Sequence, residues 1–305
     1  MENIWSGRMD GEDVLSQRLF QKVKSTQDYN SIKKDNFFIH GFAVDEGVKR
    51  NKGRVGAALA PNRIRKSMSN FPVILPQLEI LDFGNIDCEG EDLEKAQNQL
   101  AIKVAEGLKR NGRSIVLGGG HELMYAHFSG IRKAFPNQKI GIINFDAHFD
   151  NRVPENGKAN SGTGFWQIAQ QEKLHSLHIG IQRNSNTQQL FRIANNLGMK
   201  YMISDELFES NLPALSSRID QFISEADLLY CTICMDVFNS AIAPGVSAVA
   251  YNGIFADHTF LTLLRKILGN EKLVALDVAE VNPNYDIQEH TSKLAASLIN
   301  EWLML

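Results

Sequence analysis

The sequence predicts an α/β fold, an open and mostly parallel sheet of eight strands with helices on both faces. Two observations predict it. Short β-rich apolar runs alternate with longer amphipathic stretches, the pattern of repeated strand–helix units whose sheet is covered on both sides. With 305 residues, 43% of them apolar, the chain can bury a sizeable core, and no change of composition marks a linker. Residues 1–305 therefore read as one domain.

The strands are expected at residues 37–42, 78–83, 114–117, 139–145, 176–181, 200–203, 227–235 and 272–278. Helical spacing is clearest over residues 91–110, where Leu93, Ala96, Leu100, Val104 and Leu108 recur on one side and Asn111-Gly112 marks the end. A second amphipathic helix is expected over residues 122–134, directly after Gly118-Gly119-Gly120-His121.

Basic and acidic residues number 32 and 35, for a formal net charge of -3, and they are mixed along the chain. That balance leaves no footprint for nucleic acid or an anionic membrane, and favours a small-molecule partner. No apolar run approaches the roughly 20 residues that span a bilayer. The start, Met1-Glu2-Asn3-Ile4-Trp5, lacks the pattern of a leader, so a cytoplasmic protein is expected. Three cysteines, Cys88, Cys231 and Cys234, are too few for a disulfide framework and are expected reduced.

Ligands of parallel sheets collect beyond the carboxyl ends of the strands, and the donor residues of this chain collect there too. Asn144-Phe145-Asp146-Ala147-His148-Phe149-Asp150 spaces two carboxylates around an imidazole. In an extended backbone the three side chains would share a face, a donor set suited to a divalent metal. A turn with capping aspartates is the competing reading, but burying such groups without a cation costs several kcal/mol each. His121 follows three glycines that let the backbone come close to whatever the ring touches. No Lys-Ser or Lys-Thr follows them, which weakens a phosphate cradle.

Cys231 and Cys234 point to opposite strand faces and lack a second pair, so a zinc or redox reading fails. Cys234 and Asp236 share a face and can both look toward the metal. Glu280, just past the last strand, is placed to pair with a cationic substrate, against a plain loop salt bridge. Arg152, two residues after Asp150, can grip a carboxylate with both arms of its guanidinium. His40, His127, His175, His178, His258 and His290 carry no ligand pattern and read as ordinary core or surface groups.

In order, GGGHE, NFDAHFD, SGTGFWQI, TICMDVFNSAIAPGVSA and ALDVAEVNP resemble the ureohydrolase superfamily of arginase and agmatinase. Asn51-Lys52-Gly53-Arg54-Val55-Gly56 and Pro61 are similar to its N-terminal region, so the resemblance spans nearly the whole chain. The SGT segment, Ser185-Asn186-Thr187 and APGVSA are most similar to its formimidoylglutamase branch, which acts in histidine degradation. The resemblance implies a three-layer arginase-like fold, a homo-oligomer, and two Mn²⁺ ions joined by a hydroxide that attacks the amidine carbon of N-formimidoyl-L-glutamate. Formamide and glutamate would be released. His121, Asp146 and Asp150 would hold one ion, and Asp146, His148 and Asp236 the other. Asp150 and Glu280 would be catalytic, with Arg152, Ser161, Thr163 and Glu280 on the substrate.

Several positions depart from the superfamily pattern. Cys234 stands where arginases bridge both metals with an aspartate, and sulfur is softer than Mn²⁺ favours. Cys234 then bridges as thiolate, or one ion is weakly held, or another divalent metal is used. Ser161 replaces a histidine of arginase and agmatinase, Trp166 stands where arginine is expected, and Glu122 where aspartate or serine is commoner. Two alternatives stay open: a guanidino hydrolase such as agmatinase, releasing urea, and a degenerate arginase-fold protein that only binds or regulates.

Overall fold

The computed structural model describes residues 4–305; Met1 to Asn3, part of the start read above as lacking a leader, lie outside the described residues. Nine strands form one sheet: β1 (Val23–Ser25), β2 (Phe37–Ala43), β3 (Ile80–Asp87), β4 (Arg113–Leu117), β5 (Ile140–Phe145), β6 (Ser176–Ile181), β7 (Lys200–Ile203), β8 (Leu228–Cys234) and β9 (Leu273–Ala279). Their order is β1-β3-β2-β4-β9-β8-β5-β6-β7, and every pairing is parallel. The eight expected strands are all present. The ninth, β1, is a three-residue edge strand with two exposed residues. Its register against β3, Val23 on Ile80, is set by the partner, and no apolar alternation announces it.

The helices are α1 (Glu46–Arg50), α2 (Ala60–Ser69), α3 (Leu93–Leu108), α4 (Leu123–Ala134), α5 (Gly164–Ala169), α6 (Gln188–Asn196), α7 (Leu212–Ser224), α8 (His258–Leu268) and α9 (His290–Leu303). They divide between the two faces, giving three layers. On one face α2, α7, α8 and α9 pack on Ile115, Leu117, Ile143, Phe145, Leu276 and Val278. On the other, α3, α4, α5 and α6 pack on Val116, Ile142, Tyr230 and Ala275. Strand alternation sends successive side chains to opposite cores, and apolar residues on both faces make these strands near-continuous hydrophobic runs.

Helix α3 buries the predicted stripe, Leu93, Ala96, Leu100, Val104 and Leu108. Asp92 caps its first turn by accepting from Lys95 N at 2.9 Å, the usual way an orphan N–H is satisfied. Among the described residues no helix is long and apolar enough to cross a membrane.

Candidate metal centre

The strand order brings the donors together. β4, β9, β8 and β5 are consecutive neighbours, and their carboxyl ends lead into His121, Glu280, Cys234 with Asp236, and Asp146 to Asp150 respectively. Segments more than 150 residues apart in the chain thus meet on one short stretch of sheet edge.

The three glycines after β4 are there for crowding. A Cβ at Gly119 would lie 1.9 Å from Val44 O, and one at Gly118 would lie 2.4 Å from Val278 O. The run threads between the backbones of β2 and β9, with Gly119 N donating to Phe42 O and Glu280 N to Gly119 O. Glycine here serves close packing of protein backbone, not the close approach to a ligand that the sequence suggested.

Asp146, His148 and Asp150 do not lie on an extended strand as expected, because β5 ends at Phe145. The chain bends instead: His148 N donates to Asp146 Oδ1 at 2.7 Å, and Asp150 adopts φ +45°. Glu280 is also left-handed, at φ +67°. Such backbone costs a bulky residue about 1–3 kcal/mol and concentrates at functional sites.

Asp146 is the hub. Its Oδ2 lies 3.0 Å from His121 Nδ1, and its Oδ1 lies 3.5 Å from His148 Nδ1. His121 Nδ1 also meets Asp150 Oδ2 at 2.8 Å, and His148 Nδ1 meets Asp236 Oδ2 at 3.3 Å. Two donor triads result, His121 with Asp146 and Cys234, and Asp146 with His148 and Asp236, each with its ligand atoms within 4.8 Å of one another. The two triads share Asp146, one carboxylate oxygen turned to each.

The electrostatics are those of a cation site. Burial opposes protonation of His121, but the carboxylates of Asp146 and Asp150 outweigh it and hold the ring well above its ordinary pKa. His148 is raised in the same way, against burial, by Asp236 and Asp146. Both shifts favour the protonated ring, whose positive charge offsets that of the buried carboxylates. Burial alone would raise Asp146, yet hydrogen bonds from the two imidazoles bring it below the usual carboxylate range. Burial and the charge of Asp146 raise Asp150 to about 6. Burial and then Glu122 and Asp236 push Glu280 well up, while burial and four surrounding carboxylates do the same to the Cys234 thiol.

A divalent metal fits this donor set. Asp236 Oδ1 is buried without a hydrogen-bond partner among the described residues, a costly state that a bound cation would relieve. Carboxylate oxygens and imidazole nitrogens suit Mn²⁺, and Cys234 adds one softer donor.

The remaining candidates sort unevenly. Arg152 is exposed and its guanidinium has no hydrogen bond or ion pair among the described residues. Its aliphatic stem lies along Gly162, beside Ser161, whose Oγ accepts from Asn51 Nδ2 at 3.0 Å. Thr163 is fully buried, accepts from Asn160 N at 3.0 Å and reaches Asn160 O at 2.9 Å. Its hydroxyl closes the turn that carries Ser161 and Gly162. Glu122 turns away from the donors: Oε1 accepts from Gly47 N at 2.8 Å and ties α1 down, and burial raises its pKa to about 7.

The arginase family model matches residues 35–305. The chain belongs to the arginase family. A formimidoylglutamase of Staphylococcus carnosus is 40% identical over 306 residues, covering 99% of this chain and 97% of its own. One of Staphylococcus epidermidis is 39% identical over 308 residues, covering 99% and 98%. Among solved structures, a formimidoylglutamase of Bacillus subtilis superposes with a TM-score of 0.85 at 22% identity, covering 94% of this chain and 91% of that one. A Trypanosoma cruzi formiminoglutamase solved with Mn²⁺ gives 0.80 at 23% identity, covering 92% and 95%. These superpositions establish the three-layer arginase fold.

Two groups that the sequence left aside belong to the site's surroundings. Asp277 and Thr232 sit fully buried behind His121, and His127, read as an ordinary histidine, joins them. An aspartate in the otherwise apolar run from Leu273 to Ala279 was the available signal.

Proposed function

We propose that this arginase-family protein hydrolyses N-formimidoyl-L-glutamate to L-glutamate and formamide. The observation that carries the reading is the pair of donor triads sharing Asp146, in a chain about 39–40% identical over its full length to proteins named formimidoylglutamase. Ser161, in place of the histidine of arginase and agmatinase, supports this substrate over a guanidinium compound.

His121, Asp146 and Asp150 would hold one Mn²⁺, and Asp146, His148 and Asp236 the other, with Cys234 beside His121 and Asp146. When bound, the ions supply positive charge and water activated for attack near neutral pH. Glu280, anchored by His121 N donating to Oε1 at 2.9 Å, would pair with the cationic formimidoyl nitrogen. Asp150, whose Oδ2 lies 2.8 Å from His121 Nδ1 and whose carboxyl is raised to about 6 by burial and the charge of Asp146, is placed to pass protons beside His121. Arg152, without a side-chain partner among the described residues, would grip a substrate carboxylate from the exposed rim. Around Asp146 and Glu280, buried surroundings strengthen the interactions by excluding water.

The test is incubation of metal-reconstituted protein with N-formimidoyl-L-glutamate, measuring formamide and glutamate, with agmatine as the control. Equimolar formamide and glutamate are expected. Urea from agmatine would move the assignment to a guanidino hydrolase, and no turnover with any of several divalent ions would overturn the enzyme reading.

A further inference from the structure

The hydrogen bonds behind the site run further than its donors. On the side of the ring away from Asp146 and Asp150, His121 Nε2 lies 2.9 Å from Thr232 Oγ1. Thr232 on β8 stands directly opposite Asp277 on β9, and its hydroxyl donates to Asp277 Oδ1 at 2.6 Å. Asp277 Oδ2 takes the Tyr230 hydroxyl and, at 2.6 Å, His127 Nδ1 from α4. His127 Nε2 closes the chain on Ser114 Oγ at 3.0 Å. Ser114, His127, Tyr230, Thr232 and Asp277 are all fully buried.

A hydroxyl has one proton to give. Thr232 gives it to Asp277, so toward His121 it offers only a lone pair. A neutral His121, the form that can ligate a cation, must then carry its one proton on Nε2, which leaves Nδ1 as the nitrogen with a lone pair. Nδ1 is the atom that faces Asp146 and Asp150. Asp277 can play this part only because three donors satisfy it, since an unpaired carboxylate in an apolar strand would not stay buried.

We propose that Asp277, held by His127 and Tyr230, is a positioning residue that acts through Thr232 to fix the Nε2–H form of His121, presenting Nδ1 to the metal. The inference rests on the metal reading above and adds to it four residues that touch neither metal nor substrate. Removing the orienting partner of a metal-binding histidine weakens metal affinity about 10- to 100-fold.

Thr232→Val keeps the β-branched shape and deletes the hydroxyl; Thr232→Ser restores it; Asp277→Asn lets the Thr232 proton turn toward His121. Mn²⁺ alone is titrated into each folded protein, and free Mn²⁺ is counted by electron paramagnetic resonance. Thr232→Val and Asp277→Asn should bind about 10- to 100-fold more weakly, with Thr232→Ser close to the parent. In ¹⁵N-histidine-labelled parent protein loaded with diamagnetic Zn²⁺, the His121 proton should sit on Nε2. If Thr232→Val lowers only the Tm and leaves Mn²⁺ affinity unchanged, or if the proton sits on Nδ1, the inference is overturned while the metal reading stands. Parent protein that takes up no Mn²⁺ overturns both.

Discussion

Replacing Glu280 by glutamine separates its charge from its shape. Glu280 is only 4% exposed, and its Oε1 accepts from His121 N at 2.9 Å. Glutamine keeps that acceptor, its size and its place at φ +67°. Because burial and the neighbouring Glu122 and Asp236 raise the carboxyl well above the carboxylate range, the fold disfavours its charged form, and exchange for a neutral amide costs the fold little. A cationic formimidoyl nitrogen changes the balance by favouring the carboxylate. The charge-assisted hydrogen bond formed then is worth about 1.5–3 kcal/mol, so Glu280→Gln should lower kcat/KM about 10- to 150-fold. Steady-state formamide release from the Mn²⁺-loaded variant measures the loss, and a thermal melt of the metal-free variant supplies the control. An unchanged kcat/KM would refute the reasoning, and so would a loss matched by a Tm several degrees lower, because the role would then be structural.

Other outcomes follow from the same charges. Asp150 and Glu122, raised to about 6 and about 7, hold protons more tightly folded than unfolded, which penalises the folded state as pH rises through those values. His121 and His148, also raised, contribute stability that is complete below their unfolded pKa and lost as pH climbs through the folded one. Both signs agree, so metal-free protein should lose Tm as pH rises from about 4 to about 7 and go on losing it as the histidines deprotonate, and saturating Mn²⁺ should flatten that decline by displacing the protons; a melt series with and without Mn²⁺ tests it. Cys234→Asp adds a carboxylate where four already raise the thiol, so metal-free Tm should fall while Mn²⁺ retention, measured by elemental analysis, should rise. Arg152→Ala removes an exposed cation with no side-chain partner among the described residues; KM for N-formimidoyl-L-glutamate should rise about tenfold or more with Tm unchanged, and an unchanged KM would place the carboxylate elsewhere.

Much of the fold was legible because it is repetitive. Strands such as β5 and β6 are short apolar runs bounded by turns, and α3 carries its buried stripe at helical spacing, so local pattern and final structure agree. β1 was not legible, since Val23-Lys24-Ser25 has no face of its own and is a strand only because β3 offers it an open edge. In the site, the spacing of Asp146, His148 and Asp150 pointed to a shared target for a reason that proved incomplete: the segment converges through a bend and a left-handed residue, not through strand alternation. For Thr163, named through the resemblance alone, the partners of the hydroxyl are set by the turn that Asn160 closes around it, which no local pattern announces.

The sequence by itself determined the layered α/β class and the kind of chemistry the donors can perform, because periodicity and residue type are local properties. Which donors meet was decided by the tertiary structure. The order β4-β9-β8-β5 sets His121, Glu280, Cys234 with Asp236, and Asp146 side by side, and no local pattern encodes strand order. The burial that follows raises the pKa of Asp150 and Glu280, with neighbouring carboxylates adding to it, whereas His121 is raised against burial by Asp146 and Asp150. It also makes His127, which by sequence reads as an ordinary histidine, a link in a hydrogen-bonded line to His121. Electrostatic strength depends on distance and dielectric, and both exist only once the chain has folded.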